Sequence, residues 1–230
     1  DPEYTYIFFN TFFKYNSNYT ALTKTQMQTK VRTLIEEFNI NKLQNFDGVF
    51  RYSQLLSAID SSDTAILNSF IRVFVYKDLS LTLGSTIAQT IDFDMELYDE
   101  DELDSIITSS SWEFNGYQYF IGDEAIAVNS DIRNVYVYRL DQNVKIKVAP
   151  TVGTLNKLTG TLLVNSSLIP ITQNEIIRIQ VTPNSNDIVS RRKTLISIDS
   201  AKTTVVGEID TIATGGSAGA ENYNVFARHG

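Results

Sequence analysis

The sequence predicts an α+β fold, in which an N-terminal strand-helix-strand unit precedes an all-β domain built as a sandwich or a mixed antiparallel sheet. Three observations carry this reading. Apolar residues recur at helical spacing only between Thr23 and Ile59. From about residue 86 onward the chain becomes a series of short β-branched and aromatic runs separated by turn residues. The charge changes over the same region: residues 84–131 hold twelve acids and no Lys or Arg, whereas residues 132–206 hold ten bases and four acids.

Residues 4–15, Tyr-Thr-Tyr-Ile-Phe-Phe-Asn-Thr-Phe-Phe-Lys-Tyr, read as a strand, because aromatic and β-branched side chains fit a pleated, half-buried surface. Asn16-Ser17-Asn18 supplies the turn that ends it. Thr23, with Gln26 three residues on, has the spacing of a capping box. Met27, Val31, Leu34, Ile35 and Phe38 then form one apolar helical face, with Lys24, Lys30, Glu36 and Glu37 largely on the wet side. A shorter helix is expected over residues 52–59, capped by Ser53, with Leu55, Leu56 and Ile59 inward. Residues 65–79, with their Ile-Arg-Val-Phe-Val-Tyr-Lys centre, read as the next strand.

Further strands are expected over residues 87–97, 105–114, 117–122, 135–140, 144–148, 160–164, 175–182, 194–198 and 203–209. Asn115-Gly116 between two such runs predicts a tight hairpin, since both residues tolerate positive φ. The predicted organisation is an α+β domain over 1–83, a β-rich domain over 84–209 and a Gly/Ala/Ser-rich tail over 210–230, with a hinge at 79–85.

Composition excludes several chemistries. Without cysteine there can be no disulfide framework, thiolate metal site or cysteine nucleophile. The one histidine, His229, sits in the Gly-rich tail, whereas a Ser–His–Asp relay needs an imidazole held between two partners. Gly153, Gly160 and Gly207 are isolated, so no phosphate-binding loop exists. A net charge of −8 opposes broad nucleic-acid binding. No run approaches the roughly 18 apolar residues of a membrane span, and no secretory signal is visible. The opening Asp1-Pro2-Glu3-Tyr4 lacks an initiator Met, and the chain is expected to be a piece of a longer polypeptide. No catalytic residue, cofactor or metal is assigned.

The run Asp92, Asp94, Glu96, Asp99, Glu100, Asp101, Glu102, Asp104 is the most visible charged feature. Its first acids alternate with Phe93, Met95 and Leu97, as on a half-buried strand with a solvated face. Calcium is the competing reading, although the Gly and terminal Glu of an EF-hand loop are missing. Paired carboxylates could also serve glycoside hydrolysis, which requires a fixed separation. Trp112 and the many tyrosines fit packing, or else stacking on a surface glycan in a tail-fibre or adhesin module. Asn18-Tyr19-Thr20 and Asn165-Ser166-Ser167 fit the N-glycosylation triplet, a pattern common by chance. The charge asymmetry can be satisfied inside one fold or can steer copies head to tail. The candidate interface residues are accordingly Asp99, Glu100, Asp101, Glu102 and Asp104, with Arg191, Arg192 and Lys193 as their basic counterpart.

Several strings together resemble one family. They are Pro2-Glu3-Tyr4-Thr5-Tyr6-Ile7 with the helix after it; Phe46-Asp47-Gly48-Val49-Phe50-Arg51-Tyr52-Ser53-Gln54-Leu55; Ile59-Asp60-Ser61-Ser62-Asp63-Thr64-Ala65-Ile66; Val152-Gly153-Thr154-Leu155-Asn156-Lys157-Leu158-Thr159-Gly160; Val181-Thr182-Pro183-Asn184-Ser185-Asn186-Asp187-Ile188-Val189; and Gly216-Ser217-Ala218-Gly219-Ala220. In this order they are similar to the gene product six family, the baseplate wedge subunits of T-even-type myophages, and more distantly to baseplate J proteins. The resemblance implies a virion structural protein, not an enzyme, made in the bacterial cytoplasm and placed in the contractile-tail baseplate. It implies the C-terminal part of a wedge subunit that joins neighbouring wedges into the inner ring. Its partners would be other wedge proteins and a second copy of itself, with no nucleic acid, membrane or small-molecule substrate.

Overall fold

The computed structural model describes residues 3–44, 48–99, 105–128, 130–189 and 194–215. In chain order the first elements are β1 (Glu3–Tyr15), α1 (Lys24–Phe38), β2 (Val49–Phe50), α2 (Tyr52–Ser61) and β3 (Ile66–Leu81). They are followed by β4 (Ala88–Asp92), β5 (Thr108–Ser109), β6 (Trp112–Phe114), β7 (Tyr117–Ala125), β8 (Ile132–Asp141) and β9 (Val144–Asn156). The last are β10 (Thr161–Asn165), β11 (Glu175–Val181), β12 (Ile188–Val189), β13 (Thr194–Ile198) and β14 (Thr204–Ile209). The class is α+β, as predicted. The chain forms two compact units, one from residues 1–73 and 186–230 and the other from 74–185.

In the first unit β1 is the organising strand. β13 pairs with Glu3–Ile7 and β14 with Asn10–Tyr15, both parallel to it. The two are one strand interrupted by a turn at Asp199, whose carboxylate accepts from the N–H groups of Ala201 and Lys202. Helix α1 begins with the expected capping box: Gln26 N–H donates to Thr23 Oγ1, and Thr23 N–H to Gln26 Oε1. Its face of Met27, Val31, Ile35 and Phe38 is buried, as its spacing required. Arg32 donates to the carbonyls of Ser200 and Thr203 at 3.2 and 3.1 Å, which fixes the helix to the turn beneath it. Beyond Phe38 the helix widens into a π turn over Asn39–Leu43, and Ile198 N–H donates to buried Asn39 at 2.9 Å. Phe9 stacks on Phe50 at 5.1 Å at the centre of the core, with Phe38 set edge-on to Phe50. A Cβ on Gly207 would overlap the Phe13 ring, so β14 can approach β1 only with a glycine there.

The second unit contains a six-stranded sheet in the order β4-β10-β9-β8-β7-β6, with every neighbouring pair antiparallel. Residues Val75–Leu81 of β3 pair antiparallel with β11, which also carries β5. Val135, Val137, Leu155, Leu162 and Val164 from the sheet, with Ile177, Ile179 and Val181 from β11, are fully or almost fully buried. Asn115 and Gly116 both take positive φ in the β6–β7 hairpin, as the Asn-Gly pair required.

Several local expectations are corrected. The compact units divide the chain differently from the 1–83 and 84–209 domains, because residues 194–209 pair with β1 instead of completing the β-rich region. Local patterning identifies a strand but not its distant partner. The segment expected to hinge lies within the second unit, where Leu79 and Leu81 pair with β11 and Leu83 N–H donates to Asn174. The strand expected over 87–97 stops at Asp92, because Asp94 adopts φ 61° and its N–H donates to the Asp92 carboxylate. Residues 105–114 form two short strands, and the strand expected to end at 148 runs on to Asn156.

A Cβ on Gly153 would collide with the main-chain carbonyl of Leu163 on the paired strand. Gly153→Ala is expected to destabilise the chain by about 1–3 kcal/mol in urea unfolding, with exposed Thr154→Ala within about 0.5 kcal/mol of the parent.

Candidate functional site

Two of the strings noted in the sequence meet in the first unit. Val49 and Phe50 pair with Val189 and Ile188 as β2 and β12. Immediately beside this pair, Arg51 Nη1 donates to Asp187 Oδ2 at 2.8 Å and Tyr52 N–H donates to Asp187 Oδ1 at 2.9 Å. The cap of α2 is therefore Asp187, 135 residues away in the chain, and not Ser53. A carboxylate at a helix N-terminus satisfies an orphan N–H and opposes the helix dipole. The Arg51 hydrogen bond, followed by that of the Tyr52 N–H, holds the Asp187 carboxyl below its ordinary pKa. Burial raises the Tyr52 phenol above its usual range. A second clasp joins Lys30 of α1 to Asp63 at 2.8 Å, and this bond lowers the Asp63 carboxyl in the same sense.

The acidic region is answered inside the second unit. Arg133 on β8 is fully buried, and its Nε donates to Asp123 Oδ2 on β7. Asp123 also accepts from Ser105 Oγ at 2.6 Å and Ile107 N–H at 2.9 Å. Asp99 Oδ2 lies 3.4 Å from Arg133 Nη1 and 3.0 Å from Lys157 Nζ. Two carboxylates and two cations thus balance, and hydrogen bonds satisfy the buried carboxylate, without which such a pair could not offset its desolvation. Nearer solvent Lys147 pairs with Glu124, whose carboxyl is held low chiefly by that bond. Lys147 also sits 4.5 Å from the Tyr136 ring centre, and Phe120 stacks on Tyr138 at 5.3 Å. Burial raises both tyrosine phenols.

Of the candidate interface residues, Asp99 is the one described, and it belongs to this internal network. Glu100, Asp101, Glu102, Asp104, Arg191, Arg192 and Lys193 lie outside the described residues, as does His229. Among the described residues no three Asp, Glu or His converge as a metal site, and no helix is long and apolar enough to cross a membrane. The residues missed from sequence are Asp187, Asp123 and Arg133. Arg133 did leave a signal, because it alternates in phase with inward-facing Val135 and Val137, where a charge must be paired.

Residues 3–78 match the family model for the C-terminal domain III of the baseplate structural protein gp6. That stretch is similar to a gp6 baseplate domain. The match covers β1 to most of β3, about a third of the chain, and supports a gp6-like baseplate wedge protein, C-terminal part. No curated protein matches. The match supports a structural component of a phage baseplate in the virion tail, and the matched family is that of a baseplate structural protein. The gp6 domain's Phe50-Arg51-Tyr52 run has a physical role: a core aromatic, a cation for Asp187 and the first helical N–H. Its clasp residue Asp187 lies beyond the matched stretch.

Two measurements test these clasps. Asp187→Ala is expected to cost about 1 kcal/mol by loss of the cap. Because the folded Asp187 carboxyl is depressed, its contribution is complete above the unfolded value near pH 4 and is lost as pH falls through the folded value. Asp187→Asn keeps an acceptor but removes the charge, so its stability should vary less with pH below about 4 than the parent's. Asp123→Ala strands a buried guanidinium and is expected to cost about 3–5 kcal/mol, whereas Asp123→Leu with Arg133→Met should recover much of that loss in a double-mutant cycle.

Proposed function

We propose that this gp6-type chain connects neighbouring wedges of a contractile-tail baseplate into its inner ring, through contacts with other wedge proteins and with a second copy of itself. The observation that carries this reading is the match of residues 3–78 to gp6 domain III. The build of the molecule supports it. Buried ion pairs, stacked aromatics and a cap from a distant part of the chain hold each unit in a single arrangement, as a part that transmits force between neighbours requires. The acidic and basic side chains outside the described residues are the proposed contact groups, since complementary charge sets register and partner choice.

Tails assembled with a tagged copy of the chain provide the test. Low-resolution imaging should find the tag in a ring around the tube at the base of the tail, and chemical cross-linking should join the chain to wedge proteins and to itself. A tag on fibres or sheath would sink the assignment.

A further inference from the structure

In the second unit the outer half of β9 has an uncovered edge. β10 covers β9 only from Gly153 to Asn156. From Val144 to Val152 the edge of β9 away from β8 has no neighbouring strand among the described residues. An uncovered edge presents main-chain N–H and C=O groups ready to pair with another strand.

The side chains along this edge are not those of a solvated ribbon. Lys145 and Lys147 lie on the face carrying Tyr138 and Tyr136. Val144, Ile146 and Val148 take the opposite face, where they are 64%, 36% and 39% exposed. That face continues the apolar interior: the register aligns Ile146 with Arg139 and Arg139 with Tyr119, which packs on Trp112. A strand laid along β9 would therefore find main-chain partners, a β-branched apolar row on one face and ammonium groups on the other.

Charge selects the occupant. Residues 138–150 carry Arg139, Lys145 and Lys147 against Asp141, in a chain of net charge −8; Glu124 of β7 already pairs with Lys147, which leaves Lys145 to meet an added strand. Two copies paired edge to edge would set lysines beside lysines, which discourages self-pairing. We propose that the Val144–Val148 edge of β9 is a strand-addition site for an extended segment of another baseplate protein in which apolar and acidic residues alternate. Its apolar side chains would extend the Val144–Ile146–Val148 row and a carboxylate would face Lys145. The proposal rests on the connector reading and names one of its contact surfaces.

The full chain is titrated against three fluorescein-labelled, end-capped ten-residue peptides in which Val alternates with Glu, Ser or Lys, with anisotropy as the readout. The Glu peptide is expected to bind at least tenfold more tightly than the Lys peptide, with the Ser peptide between them. Ile146→Lys, shown folded by circular dichroism, should abolish binding, and exposed Lys145→Glu should reduce the preference for the Glu peptide at least threefold. Absence of binding, binding blind to peptide charge, or binding indifferent to Ile146→Lys would overturn the proposal. So would self-association in sedimentation that Ile146→Lys removes, since the edge would then belong to a second copy. None of these readouts depends on where the chain sits in a tail, so the edge can fail while the baseplate assignment stands, and the reverse.

Discussion

A guanidinium taken wholly out of water has to be answered by carboxylates and hydrogen bonds, and the layout of the second unit depends on how Arg133 is answered. Asp123 reaches it from the neighbouring strand, and Asp99 from the acidic segment, where Lys157 shares it. Ser105 and the Ile107 N–H complete the shell of Asp123. The segments on either side of residues 100–104 are thereby fixed to the sheet by electrostatics as well as by packing. Replacing any one member leaves the others buried without their counter-charge. The network therefore specifies one arrangement of strands and loops more strongly than an apolar cluster of the same volume would.

The charge asymmetry in the sequence has a corresponding explanation. Part of the excess acid in residues 84–131 is matched within the unit by Arg133, Lys147 and Lys157. The bare count of charges could not distinguish this from attraction between copies, because net charge carries no distances. What was legible was local. The β1 aromatics, the Thr23–Gln26 box, the face of α1 and the Asn115-Gly116 hairpin all follow from spacing and torsional preference, and the structure has them. The parallel partners of β1, the Asp187 cap and the β2–β12 pair depend on residues more than a hundred positions apart. No period or propensity connects such positions. At Asp94 an expected strand yields to a turn, because a local carboxylate bond competes with the ladder.

The family strings also become clearer as physics. Phe50, Arg51 and Tyr52 resemble a signature, yet none of them is placed for chemistry. One fills the core, one holds a carboxylate and one presents a helix N–H. Gly153 is required by the approach of the Leu163 carbonyl. Here a recognisable motif records constraints of packing and capping, which is why the match of residues 3–78 to the gp6 domain is informative without naming an active site.

The parallel pairing of β13 and β14 with β1 has a consequence for synthesis on the ribosome. β1 and its neighbour β3 are made well before the parallel partners β13 and β14, and most of the second unit is encoded in between. That second unit has every strand of its six-stranded sheet available before β13 emerges, so it can close while the first unit waits. The loop that must then be closed spans most of the chain, and contacts of that separation form slowly. Through that interval the edge of β1 opposite β3 stands open to other nascent chains, and the arrival of β13 and β14 is the step that closes it.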